Sequence, residues 1–254
     1  MADVVANGVR HHVQRLGRGE RTVVFVHGLV MDNLSSFYFT LANPVAERAE
    51  VVLYDLRGHG MSDRPPAGYH IADLVADLAA LVTRLELRAP VRLVGNSFGG
   101  TLALAFAAAH PEQVERIALI DAHDGAAGFA QQMTATLSLE GEARDTKIAE
   151  NFQSWLGRHS ERKRSKLARA AEALVHGTSL VADLAASPPV DARGVRCPVT
   201  ALYGEHSDVR ACGERLARAL PACTLELVPG CTHSVLWEAT ALVRERIVAF
   251  AEGA

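Results

Sequence analysis

Residues 91–100 read Val-Arg-Leu-Val-Gly-Asn-Ser-Phe-Gly-Gly, and this stretch decides the fold. An apolar, strand-like run, Val91 to Val94, meets a G-x-S-x-G pattern, Gly95 to Gly99, and an alanine-rich stretch of helical character, Thr101 to Ala109, follows. Glycines on either side of the serine relieve crowding at a sharp strand-to-helix turn. The spacing therefore predicts that Ser97 is held in a strained conformation with its hydroxyl raised above a sheet, at the N-terminus of a helix able to stabilise negative charge.

Working outward, short β-branched runs alternate with helical periodicity. Strands are expected over Thr22 to Val26, Val51 to Tyr54, Val91 to Val94, Ile117 to Ile120, Val199 to Tyr203 and Thr224 to Val228. Ile71 to Leu87 carries apolar residues at 71, 74, 75, 78, 81, 82 and 85, the stripe of a helix lying on a sheet. A final helix is expected from about Leu236 to Ala251. This order predicts an α/β fold, a mostly parallel central sheet flanked by helices. The alternation stops between Asp124 and Pro188, where helical periodicity and a basic run from Arg158 to Arg169 take over until the Pro188-Pro189 breaker. The expected organisation is a core of residues 1–123 and 189–254 carrying a helical insertion at 124–188.

Composition narrows the function classes. The 254 residues hold 49% hydrophobic and 22% charged residues with a net charge of −3, the balance of a globular protein with no global pull toward nucleic acid. No stretch reaches the roughly 20 apolar residues that span a bilayer, and the start has no signal-peptide pattern, so a cytoplasmic protein with neither a nucleic-acid nor a membrane partner is expected. Cys197, Cys212, Cys223 and Cys231 lack metal-ligand spacing and read as reduced core thiols.

A serine nucleophile requires a base, and the base an acid that fixes its tautomer. His233 follows the last expected strand and Asp208 the strand before it, both at strand C-terminal ends where sites form in open α/β sheets. Asp208 is the expected acid, with Glu205 and Asp121 as competing carboxylates. His27-Gly28-Leu29 closes an apolar strand. His27 reads as structural, while the Leu29 N–H, with that of Phe98, is placed to form a two-donor oxyanion hole. Met31, Phe37, Trp155 and Trp237, beside Leu29 and Phe98, are candidates for a largely apolar substrate pocket.

The chain resembles the α/β-hydrolase superfamily, specifically its serine esterase and thioesterase-like branch with a helical cap. The matching pieces are Val24 to Gly28, Asp55 to Asp63 (DLRGHGMSD), Val94 to Gly100, Ala109 to Asp121, Tyr203 to Asp208 and Gly230 to Glu238. They run in the family's order over almost the whole chain. The resemblance implies Ser97 as nucleophile, His233 as base then acid, Asp208 as its orienting carboxylate, the Leu29 and Phe98 amides as oxyanion hole, and 124–188 as the cap. One departure stands out: the family's acid commonly sits three residues past the strand-end glycine, whereas Asp208 is four past Gly204 and Ser207 holds the usual place.

A serine at the elbow argues against epoxide or haloalkane chemistry and for acyl transfer, which needs no metal or organic cofactor. The expected activity is hydrolysis of a carboxylic ester or acyl thioester of a small to medium apolar substrate. A carbon–carbon hydrolase of vinylogous diketo acids is the alternative, since GNSFGG resembles the elbow of such enzymes, although Leu29-Val30-Met31-Asp32 replaces their usual Ser-Gly-Pro-Gly type loop. A non-hydrolytic binding or elimination protein of the same fold is a further alternative. The basic run reads as a solvated helix face or as a docking surface for an acidic acyl carrier protein.

Overall fold

The computed structural model describes residues 2–144, 146, 147 and 161–253. Eight strands form one sheet: β1 (Ala2–Ala6), β2 (Val9–Leu16), β3 (Thr22–Val26), β4 (Glu50–Tyr54), β5 (Val91–Asn96), β6 (Val114–Ile120), β7 (Val199–Gly204) and β8 (Cys223–Val228). Their order is β1-β2-β4-β3-β5-β6-β7-β8, and every pairing from β4 to β8 is parallel. The six strands expected from the sequence are all present. The other two, β1 and β2, form an antiparallel hairpin closed by Asn7-Gly8, both with positive φ (48° and 74°). Asn-Gly is the dipeptide that a tight two-residue hairpin turn favours, so the signal lay in the sequence.

Alternation along the strands builds two cores. Val24 and Val26 of β3 enter the cluster that includes α1 (Ile71–Arg84) and α2 (Phe98–Ala109), while Val23 and Phe25 point to the opposite face with Phe37, Leu41 and α4 (Thr240–Glu252). All five residues of β3 are buried, as a parallel strand covered on both faces requires. The expected helix from Leu236 is two pieces, α3 (Val235–Glu238) and α4, joined at Ala239. Phe37, expected in the pocket, is fully buried and packs on Phe25 with ring centroids 4.9 Å apart, so it belongs to the core.

Between β6 and β7 the described residues contain helices but no strand: Phe129–Leu137, Glu161–Gly177 and Leu180–Ala186. Among the described residues no helix is long and apolar enough to cross a membrane, and all four cysteines are free. Because β4 lies outside β3, the chain leaves β3 one way and returns past it to make β5. The crevice at the carboxyl ends of β3 and β5 is thus the switch point where doubly wound sheets bind ligands.

Candidate active site

Ser97 closes β5 with φ 52° and ψ −119°, a strained conformation for a residue with a side chain, and caps the start of α2. Its neighbours explain how the turn fits. A Cβ on Gly99 would stand 2.0 Å from the Val26 carbonyl oxygen, and one on Gly95 would stand 2.5 Å from Gly100 Cα. Only glycine lets the elbow press this close to β3. The Ser97 Oγ lies 3.0 Å from His233 Nε2, as a nucleophile and its base require.

At the acid the structure departs from expectation. His233 Nδ1 donates to Asp121 Oδ2 at 2.6 Å, whereas the nearest oxygen of Asp208 is 3.8 Å away, beyond hydrogen-bond length. Asp121 follows β6, is fully buried, and also accepts from the Gly204 N–H at 2.8 Å and from the Ser207 hydroxyl. The extra residue after Gly204 is the physical reason. It puts Ser207 where the acid is expected, and Ser207 serves Asp121 instead. Asp208 is displaced outward, where its side chain is 41% exposed and bonds Lys147 Nζ at 3.1 Å. Glu205, the other competitor, accepts from the Gly230 N–H. Asp121 has positive φ, 47°, so the backbone is bent to bring this carboxylate under His233.

Burial pulls the His233 pKa down, but the hydrogen bond and charge of Asp121, aided by Asp208, outweigh it and leave the pKa above the ordinary histidine value. Burial pushes Asp208 up, and His233 and Lys147 more than offset it, so Asp208 titrates below the usual carboxylate range.

The loop after β3, where the expected oxyanion donor Leu29 stands, is held by residues whose roles the sequence did not disclose. Asp32 Oδ2 accepts from the Gly28 N–H at 2.7 Å, and the Val30 N–H donates to His59 Nε2 at 2.8 Å. Burial foremost, with the neighbouring charge of His27, holds the His59 pKa down at about 3, so its ring is neutral and able to accept. Asp55 accepts from the N–H groups of Leu34 and Met61, each at 2.8 Å, which ties the loop after β3 to the loop after β4. His27 is buried, with Nδ1 donating to the Gly28 carbonyl and Nε2 accepting from the Leu56 N–H, so both nitrogens serve the backbone. These bonds leave the Leu29 N–H without a hydrogen bond among the described residues. The Phe98 N–H is the first of the orphan donors at the start of α2. The DLRGHG stretch was the available signal for this support.

A cavity of about 280 Å³ opens on Ser97 and His233. Its apolar wall includes Leu29, Val30, Met31, Phe98, Met133 and Leu137, and its polar groups include His123, Gln132, Arg144, Lys147 and His176. Met31 also lines a smaller cleft of about 40 Å³ with Ser97 and Trp237. Trp155 lies outside the described residues. Arg144 pairs with Glu172 at 3.2 Å, so two ion pairs, with Lys147–Asp208, border the cavity.

Residues 21–240 match the sequence profile of the alpha/beta hydrolase fold. The chain belongs to this family. Over 239 residues it is 30% identical to the pimeloyl-[acyl-carrier protein] methyl ester esterase of Chromobacterium violaceum, covering 87% of this chain and 90% of that one. Over 133 residues it is 35% identical to the 2-hydroxy-6-oxo-2,4-heptadienoate hydrolase of Pseudomonas putida, a match that spans 52% of this chain and only 46% of that protein. The enol-lactonase of Burkholderia xenovorans superposes with a TM-score of 0.76 at 23% identity over 98% of this chain and 99% of that one, a likeness of fold. The family and these relatives make the chain a hydrolase-family protein.

Proposed function

We propose that this protein is a serine hydrolase that cleaves a carboxylic ester or acyl thioester of small to medium size through an acyl-enzyme on Ser97. The carrying observation is the unbroken series from Ser97 Oγ to His233 to buried Asp121, facing a mainly apolar cavity. Ser97 Oγ attacks the carbonyl carbon as its proton passes to His233 Nε2. The oxyanion rests on the Leu29 and Phe98 amides. His233 then returns the proton to the departing alcohol or thiol, and water, deprotonated by His233, attacks the acyl carbon and frees the acid and Ser97. Asp121 holds Nδ1 protonated and stabilises the imidazolium. In this reading the insertion between residues 124 and 188 is the cap, and the reaction needs no metal or organic cofactor.

A serine-directed phosphonate should label Ser97 stoichiometrically, and Ser97→Ala should lower turnover by several orders of magnitude, because triad members act as a unit. Labelling elsewhere, or an active alanine variant, would remove the mechanism. The carbon–carbon reading draws support from the likeness to the Pseudomonas putida hydrolase and from the polar cavity groups. The wall beside the elbow, Leu29, Val30, Met31 and Phe98, suits an acyl chain better than a dienolate. The expected result is turnover of short or medium acyl esters or thioesters at least a hundredfold better than vinylogous diketo acids, a gap of about 2.7 kcal/mol in transition-state stabilisation. The reverse preference would promote the carbon–carbon reading. The exposed Arg162, Arg164, Lys166 and Arg169 on helix Glu161–Gly177 form a surface suited to an acidic acyl carrier, the kind of substrate carrier named for the Chromobacterium relative.

A further inference from the structure

One polar group in the cavity wall has no part in the hydrolytic steps. His123 stands two residues after Asp121 and lines the cavity, its ring centroid 5.9 Å from that of His233 and 5.2 Å from that of Phe129. Its backbone mount is fixed on each side. The Ala122 carbonyl accepts from the Tyr203 hydroxyl at 2.7 Å, the His123 carbonyl accepts from Thr101 Oγ1 at 2.9 Å, and the Asp124 carboxylate pairs with Arg215 at 2.7 Å. The ring is different: among the described residues neither of its nitrogens makes a hydrogen bond. Burial first, then the charge of His233, holds its pKa down at about 4, so near neutral pH it offers one N–H donor and one acceptor.

His123 is half-buried and its ring lines the cavity, so a substrate that enters can bond its nitrogens in place of solvent. A rigidly mounted, neutral imidazole on a mainly apolar wall is equipped to bond what enters the cavity. We propose that His123 reads a second oxygen on the substrate, a hydroxyl or oxo group about two or three bonds from the carbonyl that Ser97 attacks. The favoured substrates are then esters, thioesters or lactones of oxygen-substituted acids rather than of plain alkanoic acids. The two histidine rings stand side by side, centroids 5.9 Å apart, and His233 Nε2 is 3.0 Å from Ser97 Oγ, so a substituent close to the attacked carbonyl is the part of the substrate set nearest His123. A neutral imidazole accepts from a hydroxyl or donates to an oxo group equally well. This inference rests on the hydrolase reading above.

The test is a matched series of methyl butanoate, methyl 3-hydroxybutanoate and methyl 3-oxobutanoate. The kcat/KM of each is normalised to its alkaline hydrolysis rate, for the wild type, His123→Phe and His123→Gln. Labelling of Ser97 by a fluorophosphonate and the thermal midpoint establish that each variant is folded. The wild type should favour an oxygen-bearing ester over the plain one by at least about tenfold, as expected for a hydrogen bond made in a desolvated site. His123→Phe should bring the ratio to within about threefold of one, and His123→Gln, which keeps a donor and an acceptor, should restore part of it. A wild-type ratio near one, or a ratio that survives in His123→Phe, overturns the inference while plain-ester hydrolysis and Ser97 labelling leave the hydrolase reading standing. No hydrolysis of any ester together with no labelling of Ser97 defeats both.

Discussion

Replacing Asp121 by Asn removes a charge while keeping nearly the same shape. In the wild type Asp121 is fully buried and holds His233 Nδ1 at 2.6 Å, so its charge acts on the imidazolium with little solvent screening. An asparagine offers an amide NH₂ that favours the tautomer with Nδ1 unprotonated, which leaves Nε2 unable to accept the serine proton. By analogy with other triads the expected loss in kcat is about 10²- to 10⁴-fold, or about 2.7–5.5 kcal/mol. Asp208→Asn is the internal comparison. A unit charge about 4 Å away is worth about 1 kcal/mol in water and about 4 kcal/mol at an effective dielectric of 20. Asp208 is 41% exposed with its second oxygen on Lys147, so its effect belongs near the lower value, a loss below about tenfold. Initial rates on a p-nitrophenyl ester, with near-ultraviolet circular dichroism and thermal midpoints to verify folding, give the ranking. A larger loss in Asp208→Asn than in Asp121→Asn would refute the assignment of the acid to the end of β6.

The pH profile supplies an independent check: His233 must be neutral to accept the serine proton and its pKa is raised above 6.5, so kcat/KM should rise with pH along a limb above that value. In Asp121→Asn the two largest raising interactions are lost and only the weaker pull of Asp208 opposes burial, so that limb should move to lower pH. Gly99→Ala should destabilise the fold by at least about 2 kcal/mol in urea unfolding, since its Cβ would meet the Val26 carbonyl oxygen at 2.0 Å and backbone must shift. Reversing Arg162, Lys163 and Arg164 to Glu should raise KM for a carrier-bound acyl substrate but not for a small ester, with the wild-type advantage fading as salt increases. Equal effects on both substrates would identify the basic run as a solvated face.

The sheet and the strained serine elbow were legible in the sequence, because both are written in local pattern. Buried parallel strands must be continuous apolar runs, as Thr22–Val26 is, and a serine at a strained elbow needs glycines at Gly95 and Gly99, within a few residues of it. The hairpin Ala2–Leu16 was legible too, through Asn7-Gly8, though its strands mix polar with apolar residues and present a weaker period. The partner of His233 could only be decided in three dimensions. Asp121 and Asp208 both follow strands, and both ends open on the same crevice. What separates them is one residue in the loop after Gly204, which sets Ser207 on Asp121 and leaves Asp208 with Lys147. The same holds for Asp32, His59 and His123, ordinary in sequence and distinguished by what they face. Phe37 shows the converse, since an aromatic side chain near the site in sequence is apolar enough for either destination, and only packing against Phe25 assigns it to the core. Strand and turn signals are short-range, imposed by backbone sterics and the burial of one face. Hydrogen-bond partners across 112 residues, as between Asp121 and His233, depend on loop lengths and rotamers that no local pattern carries.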